Sequence, residues 1–215
     1  MKNRQQALYG RMQQAGLDTA LITKRENIRY YTGFTSWECA VLLTGKGCYL
    51  VTDFRYTIQA QAQTRGCAVV MEANRKDEQL AAIRELLAAD GCKRCGFEQD
   101  QLTVSQFEDY QQMPVEWVPF GSEIGSLRLI KSAGEVASLK RAQAMADRAF
   151  MKLLLRLHPG MSEQEAAAEL NYLCALEGSE GPSFDPIVGS GENGAMCHAI
   201  PCERRFQKGD LIVFD

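Results

Sequence analysis

The side chains best suited to chemistry are concentrated in residues 183–215, SFDPIVGSGENGAMCHAIPCERRFQKGDLIVFD. This segment holds His198, one of two histidines in the chain, and an apolar run that ends on Asp215. An imidazole changes charge near neutral pH, and a carboxylate at a strand end is a ligand that divalent cations favour. Because Gly191-Glu192-Asn193 precedes His198 and Asp215 follows on the next apolar run, we interpret His198 as functional rather than as an ordinary loop histidine.

Two other groups in the sequence could carry chemistry, and each has a simpler interpretation. Gly189, Gly191 and Gly194 lack the spacing of a phosphate-binding loop, so we predict turns and close backbone approach there. Cys92 and Cys95 form a CxxC motif, which could be half of a zinc site or a redox pair. No second pair has the spacing that would complete a zinc site, and the motif precedes a predicted strand rather than opening a helix. We therefore predict that this pair is structural and that the eight cysteines of the chain are small, reduced, buried side chains.

Two interpretations stay open for several further polar and aromatic residues, and one histidine is given no catalytic role. Asp53, Arg55 and Tyr56 could reach the site of a neighbouring subunit, or they could form a salt bridge at a strand end. Trp37 could line a substrate entrance, or it could belong to a core or subunit contact. His158 falls in the last turn of a predicted helix, where a cation complements the helix dipole, so it is given no catalytic role.

Composition excludes several classes of function. The 215 residues are 46% hydrophobic and 24% charged, as in soluble globular proteins. The net charge of -3 gives no electrostatic reason to expect nucleic acid or an anionic membrane as partner. The sequence has neither an apolar stretch long enough to span a bilayer nor the apolar core of a secretory signal. We therefore expect a cytoplasmic protein.

The pattern of elements predicts two domains, 1–124 and 125–215. Strands alternate with helices through the first, which indicates an α/β domain with a hairpin in ECAVLLTGKGCYLVTD. In the second, capping boxes at Ser132/Glu135 and Ser162/Glu165 open two helices, and LIVFD is predicted to be a buried strand. Since the sequence stops on that apolar strand, we expect it to be part of a longer protein. The helices of the first domain are predicted at 3–15, 54–65, 76–90 and near 103–112. The first helix of the second domain is predicted to run to about residue 157. Its apolar face consists of Val136, Leu139, Ala146, Phe150, Leu153 and Leu157.

Several segments, taken in order, resemble one protein family. They are ENIRYYTGF (26–34), TDFRY (52–56), LRLIKSAGEVASLKRA, LHPGMSEQEAAAEL, and FDPIVGSGENGAMCHAIP with KGDLIVFD. The chain resembles the N-terminal portion of proline-specific aminopeptidases and dipeptidases of the pita-bread metallopeptidase family. The resemblance implies a creatinase-like N-terminal α/β domain followed by the first, incomplete part of a pita-bread α+β catalytic domain.

The resemblance also implies a set of site residues and cofactors. Members hold two divalent metal ions, commonly manganese or cobalt, with two Asp, one His and two Glu, and these ions generate the nucleophile from a shared water. Asp215 matches the first Asp, and His198 matches a histidine on the preceding strand region that contacts substrate and moves protons. Ala199 departs from the Gly that often follows this histidine. The other ligands would lie beyond residue 215, so we expect this chain alone to bind no metal pair and to be inactive.

The expected partners of the whole protein are proline-containing peptides, with a homodimer formed through the N-terminal domain. Two alternatives stay open. One is creatinase-like, metal-free C–N hydrolysis in which His198 does acid–base work. The other is a non-catalytic fragment, or a binding or dimerisation module, since a fold does not fix a function.

Overall fold

The computed structural model describes residues 1–36, 38–73 and 76–215, so Trp37 lies outside the described residues. The described chain forms two compact units, Met1–Ile130 and Lys131–Asp215. The domain boundary predicted between residues 124 and 125 falls inside a short helix and stays a prediction. Among the described residues, no helix is both long enough and apolar enough to cross a bilayer.

The N-terminal unit is built on a mixed six-stranded sheet with the order β4-β3-β2-β1-β5-β6. The central strand β1 pairs antiparallel with β2 and parallel with β5. The β2–β3 pair is antiparallel, and the outer pairs β3–β4 and β5–β6 are parallel. The strands are β1 (Thr19–Ile22), β2 (Cys39–Thr44), β3 (Cys48–Asp53), β4 (Ala68–Ala73), β5 (Arg94–Phe97) and β6 (Glu116–Pro119). The helices are α1 (Lys2–Gln14), α2 (Arg25–Thr32), α3 (Thr57–Gln63), α4 (Lys76–Asp90), α5 (Val104–Gln111) and α6 (Gly121–Ser126).

Both faces of the sheet are covered, which explains why β1 and β2 are buried at every position and consist mostly of apolar residues. Successive side chains of a strand point to opposite faces, so Ala20 and Ile22 belong to one core and Leu21 to the other. The first core includes Leu8 and Tyr31 from α1 and α2, and the second includes residues from α4 and α5. The unit is therefore a three-layer α/β domain, as the sequence predicts.

The helix predicted over 54–65 is divided by a local cap. The Asp53 side chain accepts a hydrogen bond from the Arg55 backbone N–H at 2.9 Å, and a 3-10 turn over Phe54–Tyr56 precedes α3. The Arg55 guanidinium also lies 2.6 Å from the Asp53 carboxylate. This side-chain bond holds the pKa of Asp53 below its ordinary value. The contacts support the strand-end salt bridge that the sequence left open.

The prediction that all cysteines are reduced is wrong for one pair. Cys48, at the start of β3, is bonded to Cys67, just before β4, with their Cα atoms 4.6 Å apart. These strands are neighbours in the sheet, and their parallel register brings the two thiols together, although 19 residues separate them in sequence. The other six cysteines are free. Of these only Cys39 and Cys95 are buried and Cys197 is exposed, so the prediction of buried cysteines holds only in part.

We expect Cys67→Ser to lower the free energy of unfolding of the oxidised chain by about 3 kcal/mol, the chain-entropy estimate for a loop of this length. Urea denaturation without reductant measures the difference. With dithiothreitol the variant and the parent chain should unfold at the same urea concentration, apart from the small change in side chain. Equal stability under oxidising conditions would contradict the link.

The C-terminal unit packs two helices on a short two-stranded sheet. Both predicted capping boxes are confirmed, at Ser132/Glu135 and Ser162/Glu165. The elements are α7 (Ala133–Leu154), α8 (Glu163–Leu176), β7 (Val188–Ser190), a 3-10 helix (Gly191–Ala195) and β8 (Ile212–Phe214).

The predicted apolar face of α7 is only partly buried. Ala149 and Leu153 are fully buried against Leu173 of α8, whereas Leu139 is 58% exposed. Within this unit the small sheet and α8 cover only the C-terminal half of α7, so the stripe toward its N-terminus has no cover there. The helix also ends at Leu154, short of the predicted residue 157.

Candidate active site

The position of Asp215 is fixed by an antiparallel ladder between β7 and β8. Ser190 pairs with Ile212 and Val188 with Phe214. Beyond β8, Asp215 continues the ladder, because its backbone N–H donates to Ile187 O at 3.0 Å and its carbonyl accepts from Ile187 N at 2.7 Å. The side chain is exposed. The strand that carries it is half-exposed rather than buried as predicted. Ile212 and Phe214 pack against the cores of this unit, but Val213, on the other face of the strand, is 44% exposed.

His198 lies in a turn that follows the 3-10 helix, not on a strand as the family resemblance implied. Its imidazole is exposed, and its Nδ1 atom lies 4.0 Å from Cys197 Sγ. The next residue, Ala199, is 3% exposed and anchors the backbone. The loop therefore presents the ring outward while its neighbour is packed inward.

Close packing explains one of the three glycines before His198, and a left-handed backbone explains another. A Cβ atom on Gly189 would lie 2.9 Å from Asn193 O and 3.1 Å from Ala199 Cβ. Gly191 adopts φ 51°, a left-handed conformation that favours glycine. These two features support the prediction of turns and tight packing rather than a phosphate-binding loop.

A buried carboxylate that sequence reasoning missed lies beneath this loop. Glu163, the first residue of α8, is 0% exposed and its carboxylate accepts hydrogen bonds from Ser190, Asn193 and Cys202. Burial alone would raise the pKa of Glu163, but the bonds from Ser190, Cys202 and Asn193 outweigh it and the pKa is lowered from 4.5. Its ionised form thus stabilises the fold above pH 4.5, and that contribution is lost as pH falls through the lowered pKa.

A second polar contact closes the same network. Arg204 Nη1 donates to Ser190 Oγ at 2.6 Å and lies 2.7 Å from Asp210 Oδ2. The side-chain bond from Arg204 holds the pKa of Asp210 below its ordinary value. The carbonyl oxygens of Cys202 and Arg204 accept from the backbone N–H groups of Gln164 and Glu163 at 3.2 and 3.1 Å. The start of α8 is therefore joined to both sides of the His198 loop.

The described residues do not assemble a metal centre on their own. Across 1–36, 38–73 and 76–215, no group of three or more His, Cys, Asp or Glu side chains could hold an ion. Asp215 offers one carboxylate, and a divalent cation of the magnesium or manganese type takes about six ligands. Asp215 is thus at most one member of a ligand set.

The CxxC pair has the properties of core thiols. Cys95 is fully buried in the sheet, and Cys92 is half-buried at its edge. Burial raises the pKa of Cys92 to about 11 and raises that of Cys95 as well, so both are neutral thiols. The structural interpretation of this motif is supported.

Comparison with known proteins identifies both units. The model of the Creatinase/Prolidase N-terminal domain matches residues 4–130, and that of Metallopeptidase family M24 matches residues 137–215. The fold and the matches define an α/β N-terminal domain that is followed in sequence by the first part of a metallopeptidase-type domain. The chain belongs to the Creatinase/Prolidase N-terminal domain family, joined to an M24 segment, which confirms the predicted resemblance and fold class.

Individual relatives agree with this assignment. The uncharacterized peptidase YqhT of Bacillus subtilis is 35% identical over 94% of the chain, and the Xaa-Pro dipeptidase of Pyrococcus horikoshii is 29% identical over 95%. The solved Xaa-Pro dipeptidase from Bacillus anthracis superposes with a TM-score of 0.92 at 32% identity over the whole chain. The chain spans 57% and 56% of the two curated relatives and 60% of the solved structure.

Proposed function

We propose that the whole protein is a metal-dependent exopeptidase that cleaves Xaa-Pro bonds, of the aminopeptidase P or the X-Pro dipeptidase type. The observation that carries this proposal is the β7–β8 ladder, which leads at one end into the His198 loop and at the other onto Asp215. Relatives named Xaa-Pro dipeptidase and Xaa-Pro aminopeptidase support the choice of substrate.

The two site residues have separate proposed roles. Asp215 is a ligand of one of two divalent ions, manganese or cobalt, because an exposed carboxylate at a strand end suits such cations. His198 contacts the substrate and carries a proton, as an exposed imidazole on an anchored loop can. The remaining ligands are proposed to lie outside this sequence, so the 215-residue chain alone is expected to be inactive.

The test is an assay of the full-length protein with manganese or cobalt. We expect hydrolysis of Xaa-Pro dipeptides or of Xaa-Pro-Yaa tripeptides, and a loss of about 10²- to 10⁴-fold in kcat for His198→Ala, the usual contribution of a general acid or base. His158→Ala is the matched control, because His158 hydrogen-bonds locally to Pro159 O at 3.0 Å. The same substrates with the 215-residue chain provide the inactive reference.

Each outcome separates the competing functions. Release of the first residue from tripeptides identifies the aminopeptidase type, and cleavage of dipeptides alone identifies the dipeptidase type. Hydrolysis that survives a strong chelator would favour the creatinase-like, metal-free reaction. Full-length protein that binds proline-containing peptides without cleaving them would contradict an exopeptidase and favour a binding module.

The setting of the enzyme is also proposed. Its partners are proline-containing peptides rather than nucleic acid or membrane, and a homodimer forms through residues 1–124. The proposed compartment is the cytoplasm, which suits the six free cysteines but not the Cys48–Cys67 bond, since disulfides are rare there.

A further inference from the structure

The buried Glu163 carboxylate has no part in the chemistry proposed above, yet it is unusually well satisfied. Its Oε1 atom accepts from Ser190 N at 2.7 Å and from Ser190 Oγ at 2.8 Å. Asn193 Nδ2 lies 3.1 Å from each of its oxygens. Its Oε2 atom accepts from Cys202 N at 3.2 Å and from Cys202 Sγ at 3.1 Å. One side chain thus takes donors from three separate residues.

These three donors span the segment that carries His198. Ser190 ends β7, Asn193 lies in the 3-10 helix, and Cys202 follows the His198 turn. The carboxylate therefore ties together both ends of the loop and a point inside it. His198 itself is exposed and is left free to face a substrate.

Capping of α8 does not account for this arrangement. Ser162 and Glu165 already form the capping box, with Ser162 N donating to Glu165 Oε2 at 2.7 Å. Glu165 is exposed, as first-turn acids usually are, whereas Glu163 is fully buried. Burial of a carboxylate is costly unless its oxygens are satisfied, and such a network favours one arrangement of the groups that satisfy it.

We propose that Glu163 is a positioning residue, which fixes the loop from Ser190 to Cys202 so that His198 is held in one orientation for the peptidase reaction. The inference rests on the proposed role of His198. It extends that role by naming the group through which α8 controls the histidine. Arg204, bonded to Ser190 Oγ and paired with Asp210, supports the same loop from its other side.

The first test uses the 215-residue chain and needs no activity. Glu163→Gln replaces an acceptor oxygen with an NH2 group that faces the donors of Ser190 or Cys202. We expect amide hydrogen exchange at Ser190 and Cys202 to accelerate by about tenfold or more, the factor for losing a hydrogen bond to a charged group. The imidazole NMR signal of His198 should move or broaden, while that of His158, the other histidine, stays unchanged.

Glu165→Gln is the matched control, since it makes the same charge change two residues along the same helix. It weakens the capping box but should leave the His198 signal unchanged. If Glu163→Gln does not fold, Asn193→Ala removes only the tether inside the loop and should shift the His198 signal in the same direction. A folded Glu163→Gln or Asn193→Ala chain with unaltered loop exchange and His198 signal would overturn the inference.

The second test uses the full-length enzyme. Glu163→Gln should lower kcat by about tenfold with a smaller change in KM, since the loss concerns the reaction step more than binding. In a His198→Ala background the same change should lower kcat no further, because Glu163 acts through His198. A further loss there would overturn the positioning role. If His198→Ala retains full activity, the proposed role of His198 fails, and the exchange data still decide whether Glu163 holds the loop.

Discussion

We expect Glu98→Ala to lower the free energy of unfolding of the N-terminal unit by about 4 kcal/mol, since it leaves several buried or partly buried donors without an acceptor at about 1–3 kcal/mol each. Glu98, just after β5, is 1% exposed. Its Oε2 atom accepts from the backbone N–H groups of Thr23 and Lys24 at 2.6 and 2.7 Å, and its Oε1 atom accepts from Asn27 Nδ2. The carboxylate therefore joins the end of β5 to the start of α2.

The loss extends beyond these donors because Asn27 is also buried and accepts from Arg128 Nη1 at 3.0 Å. Urea unfolding followed by tryptophan fluorescence measures the effect, since Trp117 lies in this unit. Glu116→Ala is the control, because Glu116 is exposed and pairs with Arg94 at 2.9 Å on the surface. That change should cost less than about 1 kcal/mol. A similarly small cost for Glu98→Ala would contradict the expected role.

In the full-length protein, Asp215→Asn should lower kcat/KM for Xaa-Pro substrates by well over roughly 100-fold. Loss of a residue that only hydrogen-bonds to a metal ligand already costs roughly 10- to 100-fold, and Asp215 is proposed to be a ligand itself. The reason is charge, because a neutral amide replaces the carboxylate at the proposed metal ligand. The ladder to Ile187 uses only the backbone of Asp215, so the strand should keep its place. The metal content of the purified protein should fall below two ions per chain.

Asp185→Asn serves as the control for this change. Asp185 is an exposed carboxylate in the loop before β7 of the same unit, and its loss should leave both rate and metal content unaltered. Asp215→Asn protein that keeps two ions and the parent rate would remove Asp215 from the ligand set. The assay of the control and the variant must use the same metal ion, since affinity differs among divalent ions.

Much of the fold follows from local sequence patterns. Helix α4 begins and ends at the predicted residues because its apolar residues recur with helical spacing between polar flanks. The β2–β3 hairpin and both capping boxes are likewise confirmed, since each depends on residues close in sequence. The helix predicted over 54–65 is shorter at both ends, since α3 runs from Thr57 to Gln63. At its start the Asp53 side chain accepts a hydrogen bond from a backbone N–H and favours a 3-10 turn.

The site was harder to predict because its key contacts are not local. Glu163 and Glu165 are both acids in the first turn of α8, so the sequence predicts the same exposure for both. In the structure Glu163 is buried beneath the His198 loop and Glu165 is exposed. What distinguishes them is contact with Ser190 and Cys202, far along the chain. The Cys48–Cys67 link was missed for the same reason, since it depends on the pairing of β3 with β4.

The strand order has a consequence for how the chain is made. As synthesis proceeds, β1, β2 and β3 emerge early and can pair through short connections, but the other neighbour of β1 is β5, which emerges much later. Until then one edge of β1 has unpaired backbone groups between apolar side chains, the kind of edge that nascent chains bring together in aggregates. We therefore expect this edge to stay open to such contacts from the translation of Ile22 until β5 is complete at Phe97.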